Sequence, residues 1–248
     1  MCLDINGVLY ESNELIEGAL ECVHFLRQSG LLIRFVTNTA SQNSTQITAR
    51  LARMGIMVAD DELFTAPLAA KQYIVEHGLR PFCIIHENLL ADFKSLQQSQ
   101  PNAVLLGDAR DGLSYVSLNL AFQLCKKGAP LLAIGMNKFF SEHGELMLDA
   151  GAFVHAIEWA ADCQALIMGK PSEAFFQQVV KSLGCSAEHC AMVGDDVLSD
   201  VQGAIDAGLQ AALVRTGKYR QQDDALCPQS ANIINSIAAL PKLLENKL

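Results

Sequence analysis

The sequence has little positive charge, which argues against nucleic acid as its main partner, and it has no apolar stretch long enough to cross a membrane. Lysine and arginine number 18 against 27 aspartate and glutamate residues, which gives a net charge of −9. Neutralising nucleic-acid phosphates needs a basic surface, so the net charge argues against nucleic acid as the main partner. No apolar run approaches the roughly 20 residues that span a bilayer, and no charged start precedes an apolar stretch as in a secretory signal. We therefore expect a cytoplasmic protein without a membrane partner.

Cysteine patterns typical of zinc sites are also missing. The eight cysteines are scattered, with no C-x-x-C pair. We interpret them as reduced thiols in a reducing compartment, and metal ligation by them is the minor alternative. Half of the residues are hydrophobic, so the 248-residue chain can bury a sizeable core in one large domain or two modest ones. No repeat, low-complexity segment or Pro/Gly-rich linker marks a boundary.

Short apolar runs alternate with amphipathic stretches along the chain. The predicted strands are Met1–Asp4, Leu31–Val36, Phe82–Ile85, Ala103–Leu106, Leu131–Ile134, Ala165–Met168, Cys190–Val193 and Ala211–Val214. The predicted helices are Ile16–Gly30, Ser44–Met54, Leu89–Gln97, Ser114–Lys127, Phe153–Ala161, Glu173–Leu183, Ser199–Ala207 and Ile234–Leu244. This alternation predicts βαβ units and an α/β fold built on a parallel sheet.

Polar residues follow four of the predicted strands. They are Asp4 and Asn6, Thr37 and Asn38, Lys170, and Asp195, Asp196 and Asp200. Ligands of parallel sheets bind outside the carboxyl ends of the strands, so these side chains are expected to share a site. Taken singly, each has an ordinary interpretation as a turn residue, a helix cap or a solvated acidic loop. Their common position at strand ends favours a functional site.

These residue types suit phosphoryl transfer. A carboxylate such as Asp4 can attack phosphorus and form an aspartyl-phosphate, but carboxylate and phosphate repel each other unless a divalent cation lies between them. Mg²⁺ takes oxygen ligands, usually one or two carboxylates with water and phosphate, and Asp4 and Asp195 would supply them. Thr37 and backbone N–H groups near Asn38 would hold phosphate oxygens, and Lys170 would neutralise the remaining charge.

The residues resemble the four motifs of the haloacid dehalogenase superfamily of phosphatases. The motifs are Asp4–Tyr10, Val36–Asn38, Gly169–Pro171, and Gly194–Asp196 with Asp200. Together with Val214–Tyr219, they resemble the branch whose cap domain is inserted between the second and third motifs, subclass IIA. The resemblance implies that Asp4 is nucleophile and metal ligand, that Thr37 and Asn38 bind phosphate, and that Lys170 stabilises charge. It also implies that the Asn6 carbonyl and Asp195 bind Mg²⁺, with Asp200 supporting the metal, and that the chain forms a homodimer through cap or core.

The predicted second and third motifs lie over a hundred residues apart, whereas a plain βαβ step needs only about 30 residues. The additional residues between these two motifs predict a smaller α/β cap domain over residues 72–162. This domain would be inserted into a Rossmann-like core formed by residues 1–71 and 163–248. A cap excludes water and selects substrates. The polar residues Asp108, Arg110, Asn137 and Lys138 of its loops are candidate contacts for the leaving group, and solvated surface residues are the alternative.

Asn6 departs from the superfamily pattern, in which an aspartate at this position acts as general acid and then as general base. The amide of asparagine cannot exchange a proton near neutral pH, and loss of acid–base help costs about 10²–10⁴-fold in rate. The loss matters least when the leaving group departs easily. Asn6 therefore favours an anhydride such as pyrophosphate, or a phosphoramidate such as phosphohistidine or phospholysine. A sugar-phosphate or nucleotide phosphatase, and a catalytically weak relative that binds phosphate or a partner, are the alternatives.

Overall fold

The computed structural model describes residues 1–142 and 145–245. The strands are β1 Cys2–Asp4, β2 Tyr10–Glu11, β3 Glu14–Leu15, β4 Arg34–Thr37, β5 Leu63–Thr65, β6 Pro81–Ile84, β7 Ala103–Leu106, β8 Leu131–Ala133, β9 Phe139–Glu142, β10 Glu145–Leu148, β11 Leu166–Ile167, β12 Ala191–Gly194, β13 Gln210–Val214 and β14 Asn232–Ile234. The helices are α1 Ala19–Gln28, α2 Ser44–Arg53, α3 Ala66–Glu76, α4 Leu90–Phe93, α5 Tyr115–Lys126, α6 Ala150–Ala161, α7 Glu173–Leu183, α8 Gly203–Asp206, α9 Asp223–Leu226 and α10 Leu240–Glu245. A π-helical turn, Val197–Gln202, leads into α8.

The chain forms two compact units, of which the first contains Met1–Thr37, Ser44–Phe64 and the chain from Lys170 onward. Its sheet has the strand order β14-β13-β12-β1-β4-β5, and β1, β4, β12, β13 and β14 run parallel. Strands β1 and β4 are buried along their whole length because the sheet is covered by apolar side chains on both faces. The strand β1 is central, so the residue at its carboxyl end lies between two other strand ends.

The second unit contains Asn38–Asn43 and Thr65–Gly169. Its four-stranded sheet has the order β11-β8-β7-β6, and all four strands run parallel. The strands β7 and β8 are wholly buried and wholly apolar, and they pack with α5 and α6 in one hydrophobic core. A separate antiparallel hairpin is formed by β9 and β10. Each unit thus has the parallel sheet and covering helices expected of an α/β fold.

Two predicted elements have the bounds that the sequence indicated, namely Ala103–Leu106 and Glu173–Leu183. The predicted strand at Leu31 begins later, at Arg34, because Leu31 and Leu32 lie exposed before the sheet, with 41% and 59% of their surface accessible. The predicted helix Leu89–Gln97 is reduced to the single turn of α4. Within the described residues, no helix is both long enough and apolar enough to span a bilayer.

Several elements were not predicted at all, and the longest of them is α3. Thr65 caps this helix by accepting the N–H of Leu68 at 3.2 Å, and Pro67 occupies its first turn. Proline is favoured there because the first turn has no intrahelical partner for its missing N–H. The strand β5, the antiparallel pairs β2–β3 and β9–β10, and the edge strand β14 were also missed. None of them has the run of four apolar residues that indicated Ala103–Leu106.

Candidate active site

A buried lysine joins two buried carboxylates in the first unit. Asp4 ends the central strand β1, and the Lys170 Nζ lies 2.5 Å from its Oδ1. The same Nζ lies 2.6 Å from Oδ1 of Asp200, which belongs to the π-helical turn. The other oxygen of Asp200 accepts the backbone N–H of Asp196 at 3.2 Å. These contacts fix three of the predicted site residues in one cluster although they are far apart in sequence.

Asp195 completes this cluster. It directly follows β12, the parallel neighbour of β1, so it emerges at the same edge of the sheet as Asp4. Asp4, Asp195 and Asp200 each offer a carboxylate oxygen within 4.8 Å of the other two, and all three residues are buried. We call Asp4, Asp195, Asp200 and Lys170 the buried charge cluster.

The buried charge cluster carries more negative than positive charge. Burial raises the pKa of Asp195 to about 6, and the N–H of Lys218 opposes that rise. Burial also raises the pKa of Asp4, which Lys170 opposes and the two other carboxylates reinforce. Burial disfavours the Lys170 ammonium, yet the carboxylates of Asp200 and Asp4 raise its pKa above the ordinary value. When every group is ionised, three carboxylates therefore face one ammonium.

Such an excess of buried negative charge is costly unless a cation compensates it. A donor set made of carboxylate oxygens matches the hard divalent cations Mg²⁺ and Ca²⁺ and does not match the softer metals that prefer sulfur or imidazole. The residues therefore fit a magnesium ion by number, charge and ligand chemistry. This set could also hold the anionic oxygens of a phosphoryl group through that ion.

The other predicted residues divide between the two units. Thr37 ends β4, the second neighbour of β1, and it is buried one residue beyond the pairing of Val36 with Asp4. Asn6 lies two residues beyond Asp4, and its side chain is exposed. Asn38 follows Thr37 in the chain but belongs to the second unit. Thus Asp4, Thr37 and Asp195 share one sheet edge, as the motif order predicted.

A loop that the sequence interpretation gave no role also reaches the buried charge cluster. The backbone N–H of Lys218 donates to Oδ2 of Asp195 at 2.7 Å, and Oγ1 of Thr216 donates to the carbonyl of Gly7 at 2.5 Å. Because the first contact comes from the main chain, no side-chain pattern could have announced it. The available signal was the segment Val214–Tyr219, which contributed to the family resemblance and contains Gly217, together with Gly7 of the first motif.

Among the polar residues predicted for cap loops, Asp108 and Arg110 form an ion pair within the second unit. The Nε of Arg110 lies 3.1 Å from Oδ2 of Asp108, and the guanidinium covers the ring of Phe140 at 4.4 Å. Arg110 adopts a left-handed backbone conformation with φ of 50°. Asp149 caps α6 nearby by accepting the N–H of Ala150 at 2.6 Å. Burial raises the pKa of Asp149, Asp108 adds to that rise and Arg110 opposes it, so one guanidinium here serves two carboxylates.

Known proteins resemble the whole chain. A family model described as haloacid dehalogenase-like hydrolase matches residues 1–98, and a second, described as HAD-hydrolase-like, matches residues 167–240. Phospholysine phosphohistidine inorganic pyrophosphate phosphatase from Xenopus laevis is 39% identical over 229 residues, which cover 90% of this chain and 85% of that protein. Haloacid dehalogenase-like hydrolase domain-containing protein 2 from Homo sapiens is 38% identical over 222 residues, covering 90% and 86%. The crystal structure of 4-nitrophenylphosphatase from Thermotoga maritima has a TM-score of 0.87 at 26% identity, covering 97% of this chain and 95% of that one.

Proposed function

Because the chain belongs to the haloacid dehalogenase-like hydrolase family, we propose that it is a magnesium-dependent phosphohydrolase whose nucleophile is Asp4. The observation that carries the proposal is the buried charge cluster, in which Lys170 contacts both Asp4 and Asp200 beside Asp195. Two relatives bear phosphatase names, one for anhydride and phosphoramidate substrates and one for 4-nitrophenyl phosphate. Small phosphorylated molecules are the substrate class that fits.

In the proposed reaction, a carboxylate oxygen of Asp4 attacks phosphorus and forms an aspartyl-phosphate while the bond from phosphorus to the leaving group breaks. Water then attacks the phosphorus of that intermediate, which releases inorganic phosphate and restores the carboxylate. Lys170 holds its proton throughout because its pKa is raised, so it offsets charge on Asp4 and on the transferring group. Thr37 and Asn38 bind the phosphoryl oxygens.

Asp4, Asp195 and the backbone carbonyl of Asn6 would hold Mg²⁺, and Asp200 would support it while contacting Lys170. Bound there, the ion would neutralise the repulsion between the carboxylate and the phosphoryl oxygens. The second unit, whose larger segment is Thr65–Gly169, would act as the cap domain that selects the substrate. A homodimer remains a prediction from the resemblance.

Asn6 restricts the classes of substrate that we propose. No proton can pass from its amide to a leaving group, and its side chain is exposed beside a buried nucleophile. Substrates that need little protonation on departure are therefore favoured, namely pyrophosphate and phosphoramidates such as phosphohistidine and phospholysine. Asn6 is also the observation behind a second candidate function, a catalytically weak relative that binds phosphate or a partner; the presence of Asp4, Thr37, Lys170 and Asp195 together favours the enzyme.

A substrate panel separates these candidates. Purified wild type and Asp4→Asn would be assayed for phosphate release from pyrophosphate, phosphohistidine, phospholysine, a sugar phosphate and a nucleotide, with Mg²⁺ and with chelator. We expect turnover of the anhydride and the phosphoramidates that requires both Mg²⁺ and Asp4. Equal rates on the sugar phosphate or nucleotide would refute the leaving-group argument, and no turnover of any substrate would favour the binding function.

A further inference from the structure

The loop between β13 and α9 has no place in the proposed reaction, although it lies against the buried charge cluster. It follows β13, whose parallel neighbour β12 leads into Asp195. Two of its residues are tied to Asp224 in α9: the Arg215 guanidinium at 2.8 Å and the Tyr219 hydroxyl at 3.0 Å. The loop is therefore braced from outside, and its central residues, 216–218, are held in a defined position.

These central residues contact both strand-end loops that carry proposed metal ligands. The Lys218 N–H bond to Oδ2 of Asp195 orients the carboxylate that ends β12. The Thr216 hydroxyl bond to the Gly7 carbonyl holds the turn that follows Asp4 and contains Asn6. A loop that served general stability alone would not need to place its donors on a metal-ligand oxygen and on the turn next to the nucleophile.

The backbone of this loop approaches Asp195 and Gly7 so closely that no side chain fits at position 217. A Cβ on Gly217 would lie 2.1 Å from Oδ2 of Asp195 and 2.5 Å from the Cα of Gly7, and a Cβ on Gly7 would lie 2.0 Å from the same Oδ2. Both glycines also have positive φ, 64° for Gly217 and 85° for Gly7. Backbone therefore packs directly on the carboxylate that we propose as a magnesium ligand.

We propose that Thr216, Gly217 and the backbone N–H of Lys218 form a positioning clamp that holds Asp195 and the turn after Asp4 in the arrangement that binds the divalent cation. None of these three groups is a metal ligand in the proposed function, and they act through Asp195 and Gly7. The clamp rests on the proposed metal dependence of the site. Partners that orient metal ligands typically change metal affinity by about 10–100-fold when they are lost.

The sharpest test compares two glycines that differ in what surrounds them. Gly217 and Gly184 have nearly the same φ, 64° and 66°, but a Cβ on Gly184 meets no atom within 4 Å. Gly217→Ala and Gly184→Ala therefore share the backbone strain, whereas only Gly217→Ala collides with Asp195. Mg²⁺ binding would be measured by isothermal titration calorimetry without substrate, and thermal unfolding would report the strain.

We expect Gly217→Ala to weaken Mg²⁺ binding by about 10–100-fold, and Gly184→Ala to bind as wild type does. In the hydrolysis assay, the Mg²⁺ concentration for half-maximal rate should rise by a similar factor for Gly217→Ala, with much of kcat recovered at saturating Mg²⁺. Equal Mg²⁺ affinities for the two variants would overturn the clamp. If wild type binds Mg²⁺ and Gly217→Ala binds it equally well, the clamp alone is refuted. If wild type binds no Mg²⁺, the proposed function and the clamp are refuted together.

Thr216 gives an independent readout if Gly217→Ala does not fold. Thr216→Val keeps the shape and removes the donor to Gly7, while Thr216→Ser keeps the donor. We expect Mg²⁺ affinity to fall severalfold in the valine variant and to be restored in the serine variant. Valine and serine variants with the same affinity would show that the hydroxyl does not position the site, and the clamp would be refuted.

Discussion

Both units carry a parallel sheet with polar residues at its strand ends, yet the first buries a lysine among three carboxylates while the second pairs Asp108 with the half-exposed Arg110. In the second unit, the half-exposed guanidinium of Arg110 pairs with Asp108 and also interacts with the helix cap Asp149. Exposure to solvent screens these charges, so a ligand would gain little by neutralising them. In the first unit, the carboxylates outnumber their cation and are shielded from water. The same architecture therefore holds a partly solvated ion pair in one unit and a buried excess of carboxylates in the other, and we expect the cation at the second of these.

The largest effect is expected from removing Asp4, because this substitution reduces the excess of buried carboxylates that distinguishes the first unit from the second. Asp4→Asn deletes the proposed nucleophile, so turnover should fall by at least about 10³-fold, as for other covalent nucleophiles. Because one of three repelling carboxylates is lost, the metal-free protein should also gain on the order of 1–3 kcal/mol in free energy of unfolding. Phosphate-release assays and chemical denaturation without Mg²⁺ measure the two effects.

The matched control for Asp4→Asn is Asp108→Asn in the second unit. It removes a carboxylate that has its own arginine partner, so it should not raise stability. An Asp4→Asn protein that was less stable than wild type without metal would contradict the charge imbalance.

The second largest effect is expected from replacing Lys170. Lys170→Met leaves three buried carboxylates without a cation, so metal-free stability should fall by about 3 kcal/mol and turnover by about 10²–10³-fold. Added Mg²⁺ should recover part of the stability. The control is Lys126→Met, which removes an exposed ion pair with Asp162 and should change stability little, because solvent screens exposed pairs. Equal losses in thermal denaturation would show that burial of the cluster is not what matters.

Asn6→Asp should test whether the residue two positions after Asp4 sets the substrate preference of the site in the first unit. A carboxyl group at this position can supply the proton that an alkoxide needs, so the ratio of alkyl-monoester to pyrophosphate turnover should rise by about 10²-fold. Using the ratio cancels changes in folding or metal content. A ratio unchanged from wild type, measured in parallel Mg²⁺-saturated assays, would mean that Asn6 does not set the substrate preference.

The smallest expected effect is a pH dependence. Since the folded pKa of Asp195 is about 6, above its unfolded value of about 4, the metal-free protein should lose stability as pH rises through that window, by roughly 3 kcal/mol at most. Mg²⁺ competes with that proton, so the rise in melting temperature on adding Mg²⁺ should be larger near about pH 7 than near about pH 5. Calorimetric scans of wild type and Asp195→Asn test this. The variant should show a smaller pH dependence but not lose it entirely, because Asp4, whose pKa is also raised by burial, still titrates in this range.

Much of the arrangement could be predicted because it depends on side chains in a repeating pattern. Alternating apolar runs located the parallel strands, and the rule that ligands bind at their carboxyl ends brought Asp4, Thr37 and Asp195 to one edge. The contacts of Lys170 with Asp4 and Asp200 are consistent with the motif order. What could not be predicted are contacts made by the main chain, such as the Lys218 N–H, since these depend on the path of a loop. Short elements such as β5 also lacked enough residues to show a period.

The crowding around the carboxylates has a consequence for interpreting related sequences. Asp195 is pressed against Gly7 and Gly217, and a Cβ on Gly194 would lie 2.2 Å from Cβ of Asp200. A relative could therefore keep every aspartate and still lose the geometry through one alanine at a position that does no chemistry. The observed geometry leaves room only for glycine at these three positions. A comparison of related sequences that checks the acidic residues alone would therefore overlook the loss of these glycines.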